Sequence, residues 1–501
     1  MAVILKRHYQ KLWSYKMKQK SIKLNFIMNA ILQISAFIFP LITFPYVSRI
    51  LGPSGTGNVS FATSIVTYFA LFAQLGIPTY GIRATARVRD DKRLLSKTVQ
   101  EIFIINMLMC ILTYIVFFVV LNLVPKMYND RFLFIIISST ILFNSVGMDW
   151  LYKGLEKYTY ITFVSILFKF IALILMFLCI HHKSDYVVYG AISIFAASAS
   201  NICNLLNVHR LIYLKPVFNY EFTQHLRPIM IFFAMSCATT IYTNLDTVML
   251  GFMKDNVEVG YYNAAIKIKN VLLGVVTSLG TVLLPRASYY IENKMYSEFK
   301  RIAGKALNFV VLISFPICLY FILFAKESVL FLSGDAYTEA ILPMQILMPT
   351  LIFIGLTNIM GIQMLIPLGK EKVVLYSEIA GALVDLAINI ILIPFMASAG
   401  AAIGTLVAEG VVWLVQYHAL KKDVKESYLK IKYIPILLGT TLAGILSYFV
   451  KFLYLNLFLT LLLSAFVFFA IYFIVLTLAK ESLVNEIEYQ IINRFISKKG
   501  K

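Results

Sequence analysis

The chain has 501 residues, 60% of them hydrophobic and only 14% charged, with a mean hydropathy of +0.80. That balance excludes a soluble domain carrying a single anchor and fits a polytopic membrane protein. The net charge of +20 is not one basic patch of the kind nucleic acid would need: 35 of the 45 Lys and Arg fall in alternate connections and the two tails, seven in the remaining connections, and Lys169, Lys267 and Lys269 inside apolar stretches. This asymmetry predicts that both termini are cytoplasmic.

A basic leader, residues 1–23, comes first. It is expected to lie on the inner membrane surface with Trp13 at the interface, and no cleavable signal peptide is expected. Hydrocarbon about 30 Å thick asks for roughly 20 apolar residues per helix. Fourteen such stretches are predicted, starting near residues 24, 58, 98, 131, 158, 185, 227, 261, 305, 340, 373, 399, 433 and 455, so the expected fold is all-α with fourteen transmembrane helices.

The first two stretches hold Pro40, Pro45, Arg49 and a Gly-rich turn from Gly52 to Gly57, which predicts a broken, hydrated hairpin. The pattern returns in mid-chain: Gly57, Gly76 and Arg83 recur as Gly260, Gly280 and Arg286, 203 or 204 residues later. Gly154–Lys157 likewise recurs as Gly369–Lys372 at an offset of 215. Six spans per repeat preserve orientation, which predicts lobes at 24–210 and 211–425 related by an axis along the membrane normal. Two further helices (426–480) and a cytoplasmic tail (481–501) follow. No connection is long enough for a folded domain, the longest outside loop (near Lys326 to Glu339) having about fourteen residues.

Polar residues recur at helical spacing on repeat-equivalent spans: Asn25, Asn29 and Gln33; Ser60, Ser64, Thr67 and Gln74; Thr239, Thr243 and Asp246; Asn263, Lys267 and Asn270. A polar stripe in lipid must face protein or water. Two readings follow, a shared central cavity or interhelical hydrogen bonding in a packed bundle. Asp246 and Lys267 sit at one depth and can pair, whereas Lys269 points the other way along the helix and is expected to face outward. Arg49, Arg83 and Arg286 lie at span ends, where anchoring at the interface competes with a binding role.

Isolated charges at mid-span are costly unless paired or hydrated. Lys169, Asp385 and Glu409 are such charges, and for the two acids a proton- or sodium-responsive site stands beside a fixed structural charge pair. Asp149, next to Trp150 and Lys153, reads as an interfacial pair. The five cysteines have no paired or metal-ligand spacing and read as small buried hydrophobes. The six histidines form no H-E-x-x-H pair, and no P-loop or Ser-His-Asp arrangement is present, so neither a metal cofactor nor an ATP-driven pump is expected.

The P-x-x-x-R-x-L-G-P-x-G-x-G stretch at Pro45–Gly57, L-G-I-P-x-Y-G-I-R at Leu75–Arg83, D-x-V-M-L-G with V-G-Y-Y-x-A at Asp246–Ala264, and W-L-Y-K-G-L-E-K-Y at Trp150–Tyr158 resemble Wzx-type polysaccharide flippases of the multidrug/oligosaccharidyl-lipid/polysaccharide exporter superfamily. The resemblance implies an inner-membrane flippase that moves undecaprenyl-pyrophosphate-linked oligosaccharide for O-antigen, capsule or exopolysaccharide synthesis, driven by a proton or sodium gradient. It implies companionship with a polysaccharide polymerase or export machinery, and a cationic cavity carried here by Arg49, Arg83, Lys267 and Arg286. Arginine's planar fork suits a pyrophosphate. Alternatives are a lipid II flippase or a multidrug antiporter of the same superfamily. A membrane polymerase is the alternative from another class, although the large outside loop it would need is missing.

Overall fold

The computed structural model describes residues 22–217 and 219–486. The leader with Trp13 and most of the C-terminal tail lie outside them. Among the described residues every regular element is a helix, as the all-α expectation requires. In chain order the main ones are α1 (Ile22–Gln74), α2 (Ile77–Val88), α3 (Lys92–Leu123), α4 (Arg131–Val146), α5 (Asp149–Gly154), α6 (Tyr158–Cys179), α7 (Tyr186–Ser198), α8 (Ser200–Asn207) and α9 (Thr223–Met253). There follow α10 (Asn256–Glu292), α11 (Tyr296–Leu323), α12 (Ala325–Ser333), α13 (Ile341–Leu347), α14 (Thr350–Thr357) with a π-helical continuation Asn358–Leu365, α15 (Glu371–Lys430), α16 (Tyr433–Tyr448) and α17 (Leu457–Leu478).

Among the described residues ten helices are long and apolar enough to cross a membrane, or eleven if the bent pair Asp335–Leu347 and Thr350–Leu365 is one span. This differs from the fourteen stretches counted in the sequence because two long helices each take in two of them. The 53-residue α1 is broken at Gly52 (φ 65, ψ −177) and the 60-residue α15 at Ala397 (φ 48, ψ −124). α10, which carries Lys267 and Lys269, is not among the ten. The expected six-residue turn at Gly52–Gly57 also shrinks to one residue. Pro53, with its fixed φ and missing N–H, is suited to begin the second arm, and the Thr56 hydroxyl donates to the carbonyls of Gly52 (3.1 Å) and Pro53 (3.3 Å).

Residue contacts divide the chain into two compact units, Met1–Val248 and Met249–Lys501. The division falls inside α9, later than the repeats suggest, because the first turns of α9 pack on the elements before it. Phe72 meets Phe233 with ring centroids 5.5 Å apart, and Tyr80 meets His225.

In the first unit, small residues let helices approach closely. Gly81 of α2 lies against the Trp150 indole, where a Cβ would come 2.5 Å from the ring, and Gly154 of α5 leaves room for the Thr85 hydroxyl. The core around them holds Ile77, Leu95, Val99, Ile102, Leu151 and Tyr152. In the second unit, α16 and α17 pack on α11. Tyr320 donates to the Leu461 carbonyl (2.9 Å) and Tyr472 to the Leu312 carbonyl (2.7 Å), while Gly444 faces Leu319 and Leu323. Lys451 is held by Glu327 (2.9 Å) and the Leu323 carbonyl (2.8 Å). Such small-residue and hydroxyl contacts hold helices together where lipid removes the hydrophobic drive. Large exposed apolar side chains such as Phe163, Phe395, Ile434, Phe466 and Leu478 fit hydrocarbon rather than water.

Candidate functional site

Helices break together in one part of the first unit. α1 passes into α2 through Leu75 (φ 44) and Gly76 (φ 70), and α4 into α5 through Met148 (φ 44). Non-helical backbone at membrane depth is tolerated where it is buried in protein or lines a cavity. Two adjoining cavities of ≈ 270 and ≈ 340 Å³ lie at these breaks and share Gln74, Pro78, Asn144 and Ala197 in their walls. The first is lined further by Asp149, Trp150 and Lys153 of α5, Ser165 of α6, and Ser200, Asn201 and Asn204 of α8. The second is lined by Thr63, Thr67 and Thr140, with Ser236 and Thr240 of α9.

The chamber is polar but balanced in charge. Its one ion pair, Lys153 Nζ to Asp149 Oδ2 at 2.6 Å, is internal. Asn201 donates to Asn144 Oδ1 at 3.0 Å across Gly147, where any side chain would strike Asn201. The Asn204 carbonyl accepts from Tyr152 at 2.6 Å. Three buried polar atoms of the wall have no protein partner: the Trp150 Nε1–H, Asn204 Oδ1 and Thr140 Oγ1.

The sequence pointed to two wall residues on one stripe, Thr67 and Gln74, and read Asp149 with Trp150 and Lys153 as an interfacial group. It missed Thr140, Asn144, Asn201 and Asn204, although Thr140 and Asn144, and Asn201 and Asn204, carry the three- to four-residue spacing of a polar face. Of the other expected cavity residues, Gln33, Arg49, Arg83 and Asp246 belong to the first unit, and Asn263, Lys267, Asn270 and Arg286 to the second. Gln33, Arg49, Arg83, Asn270 and Arg286 are exposed, Asp246 is buried, and Lys267 and Asn263 are half-buried. Arg49 donates to the Pro45 carbonyl at 2.6 Å and Asn263 to the Val259 carbonyl at 3.0 Å. Neither Arg49 nor Arg83 lines the chamber. Lys269, expected to face outward, is buried instead.

The mid-span charges occupy two places. Lys169 of α6 reaches α1 and donates to Ser35 Oγ at 2.8 Å. In the second unit Asp385 (1% exposed) and Asn389 on the first arm of α15 face Gly404 on its second arm, where a Cβ would come 2.8 Å from Asp385 Oδ1 and strike the Asn389 side chain. Thr405, next along, shares a 2.8 Å hydrogen bond with Tyr262, and Glu409 (8% exposed) follows one turn later. At the break between the arms, Ser398 donates to Glu258 from its amide (3.1 Å) and its hydroxyl (2.5 Å). Asp385 and Glu409 thus sit on the two arms of one helix pair, in a buried polar seam.

A third cluster was not foreseen. Glu101 of α3, fully buried, accepts from His225 Nε2 at 2.8 Å and from the Glu221 amide at 2.6 Å, and His225 Nδ1 meets the Tyr80 hydroxyl at 2.6 Å. It ties α2, α3 and the start of α9 together. Lys97 bridges Glu221 at 2.9 Å and lies 3.9 Å from Glu101. Lys97 and Glu101 lie one helical turn apart, but 120 residues separate Glu101 from Glu221 and 124 from His225, so no spacing rule joins the cluster.

The profile of a family described as polysaccharide biosynthesis protein matches residues 22–291. The chain belongs to that family. The MatE profile matches residues 231–409. The polysaccharide biosynthesis chain is 26% identical over 398 residues to a "Putative O-antigen transporter" of Escherichia coli (strain K12), covering 78% of this chain and 95% of that one. A protein of the same description from Shigella dysenteriae is 26% identical over 429 residues, covering 80% of this chain and all of the other. Among solved structures, the lipid II flippase MurJ in an inward closed conformation matches 90% of this chain and 98% of its own with a TM-score of 0.73 at 16% identity. An inward-facing multidrug resistance MATE family transporter of the MOP superfamily matches 80% and 99% with a TM-score of 0.64 at 15% identity. At such identities the structures speak for the fold alone. The family member described here is a multi-pass membrane transporter of the Wzx-type branch of that superfamily, not an enzyme.

Proposed function

We propose that the protein flips undecaprenyl-pyrophosphate-linked oligosaccharide from the inner to the outer leaflet of the cytoplasmic membrane, for O-antigen, capsule or exopolysaccharide assembly. The observation that carries this is similarity to two relatives described as O-antigen transporters, over nearly their whole length. The neutral polar chamber in the first unit adds support, because amides, hydroxyls and an indole N–H suit sugar better than drug cations. With both termini in the cytoplasm, as the charge distribution argues, the chamber lies toward the inner leaflet, where the lipid-linked sugar is made. Arg49, Arg83, Lys267 and Arg286 are proposed to neutralise the pyrophosphate while the prenyl tail stays in lipid. Access alternates, with the breaks at Gly52, Gly76 and Ala397 taking up the bend. The lobes read from the repeats, 24–210 and 211–425, and a polymerase or export partner downstream belong to this proposal.

Asp385 and Glu409 are proposed as the proton- or sodium-responsive pair, with Lys169 as the basic counterpart in the first unit. If Asp385→Asn and Glu409→Gln leave transport and its ion dependence unchanged, that role is wrong. The decisive assay is the leaflet distribution of lipid-linked oligosaccharide in vesicles with and without the protein, and with Arg49→Ala and Lys267→Ala. Retention on the inner side without the protein, reproduced by the substitutions, is expected. The MatE match over residues 231–409 favours drug export as the second reading. An unchanged distribution with altered efflux of small cations would establish it.

A further inference from the structure

The structure assigns the chamber at the α1–α2 and α4–α5 breaks as a subsite for a sugar ring, read by Trp150, Asn204 and Thr140 with the Asn144–Asn201 amide pair. The assignment rests on the flippase reading and goes further, naming which part of the substrate the chamber takes and through which residues.

Three observations point the same way. The wall holds a buried donor without an acceptor (Trp150 Nε1–H), a buried acceptor without a donor (Asn204 Oδ1), and a buried hydroxyl that can do either (Thr140 Oγ1). Trp150 is 4% exposed, and Asn204 is also buried. A buried polar group left without a partner is costly. Trp150 and Asn204 line the ≈ 270 Å³ cavity and Thr140 the ≈ 340 Å³ one that adjoins it, and a ligand carrying several hydroxyls, each both donor and acceptor, offers a partner to each kind.

Charge balance favours a neutral group. Lys153 pairs with Asp149 at 2.6 Å, so the wall carries no net charge for a pyrophosphate or a drug cation to meet. A neutral polar group fits, and in a lipid-linked oligosaccharide that group is the sugar. Size agrees as well. Cavities of ≈ 270 and ≈ 340 Å³ meeting at Gln74, Pro78, Asn144 and Ala197 exceed the roughly 30 Å³ share of one water and approach the range of small-molecule sites, about 300–1,000 Å³.

The wall is also held in place. The Trp150 ring is braced by Gly81 of α2, Asn201 by Asn144, and the Asn204 backbone by Tyr152. The unpartnered atoms of Trp150 and Asn204 thus belong to residues whose other contacts are already made, the arrangement a pre-formed site needs.

The test uses the full-length protein in lipid nanodiscs and two kinds of probe. One is undecaprenyl pyrophosphate alone; the other is a panel of undecaprenyl pyrophosphates bearing one N-acetylglucosamine, N-acetylgalactosamine or galactose. Affinities are measured for wild type, Trp150→Phe, which removes the N–H and keeps the ring on Gly81, and Asn204→Leu, with unfolding midpoints to establish that each variant is folded. The expected result is that at least one sugar-bearing lipid binds wild type about tenfold or more tighter than the bare lipid. Trp150→Phe should erase most of that difference while leaving the bare lipid's affinity unchanged. If bare and sugar-bearing lipids bind alike, or Trp150→Phe weakens both equally, the chamber holds only water and the inference falls while the flippase reading stands. If no lipid pyrophosphate binds, both fall.

Discussion

Gly76 offers the sharpest test of how the first unit is built. It has φ 70, a left-handed conformation that costs an L-residue about 1–2 kcal/mol. A Cβ there would also sit 2.5 Å from the Phe233 amide nitrogen and 2.6 Å from the Phe232 carbonyl carbon, backbone atoms of α9 that cannot rotate away. Overpacking of this kind adds about 1–3 kcal/mol, so Gly76→Ala should lose roughly 2–5 kcal/mol. Gly369 supplies the control: its φ is 69, but nothing lies within 4 Å of a Cβ built on it. Gly369→Ala should lose only the conformational part, about 1–2 kcal/mol. Equilibrium unfolding in mixed detergent micelles measures both. Equal losses would refute the close approach of α9 to the α1–α2 break. A Gly76→Ala protein that fails to accumulate folded, beside a well-behaved Gly369→Ala, would support it.

Ala397 holds φ 48 and ψ −124, a region suited to glycine, so Ala397→Gly should raise the unfolding free energy by about 1 kcal/mol; a loss would show that the break is not strained. Glu101→Ala should destabilise by about 3 kcal/mol or more, because it strips His225 and the Glu221 amide of a buried acceptor; a near-neutral result by the same unfolding assay would remove the cluster from the fold's supports. Glu481 concerns pH. Burial pushes its pKa up, but hydrogen bonds from Asn308, the Val484 amide, Ser482 and the Leu483 amide outweigh this and hold it below the ordinary glutamate value. A folded pKa below the unfolded one gives stability that is present above the unfolded value, about 4.3, and is lost as pH falls through the folded one. Unfolding free energy should therefore decline on acidification below about pH 4.3 in wild type and be flatter in Glu481→Gln; parallel pH profiles would contradict this.

Sequence alone determined the material and the kinship. Apolar stretches of membrane length, short connections and lopsided basic residues specify a polytopic helical protein, because hydrocarbon leaves the backbone no partner but itself. Motifs such as Pro45–Gly57 and Leu75–Arg83 pointed to the family. Local spacing also marked Gln74 as polar in an apolar setting, and the turn at Gly52–Gly57 as a break. Only the tertiary structure decided where these features meet. Spacing along one helix gives a polar face but not the neighbour that face will find, so Trp150 and Asp149 read as interfacial until α8 brings Asn201 and Asn204 beside them. Glu101, His225 and Tyr80 carry no local signal at all, since 124 residues separate the first two. Lys269 was misjudged for the same reason: helix geometry gives its direction, whereas burial depends on what packs there. Length and hydropathy are properties of a segment, but a binding site is a property of contacts between segments, and those exist only once the chain has folded.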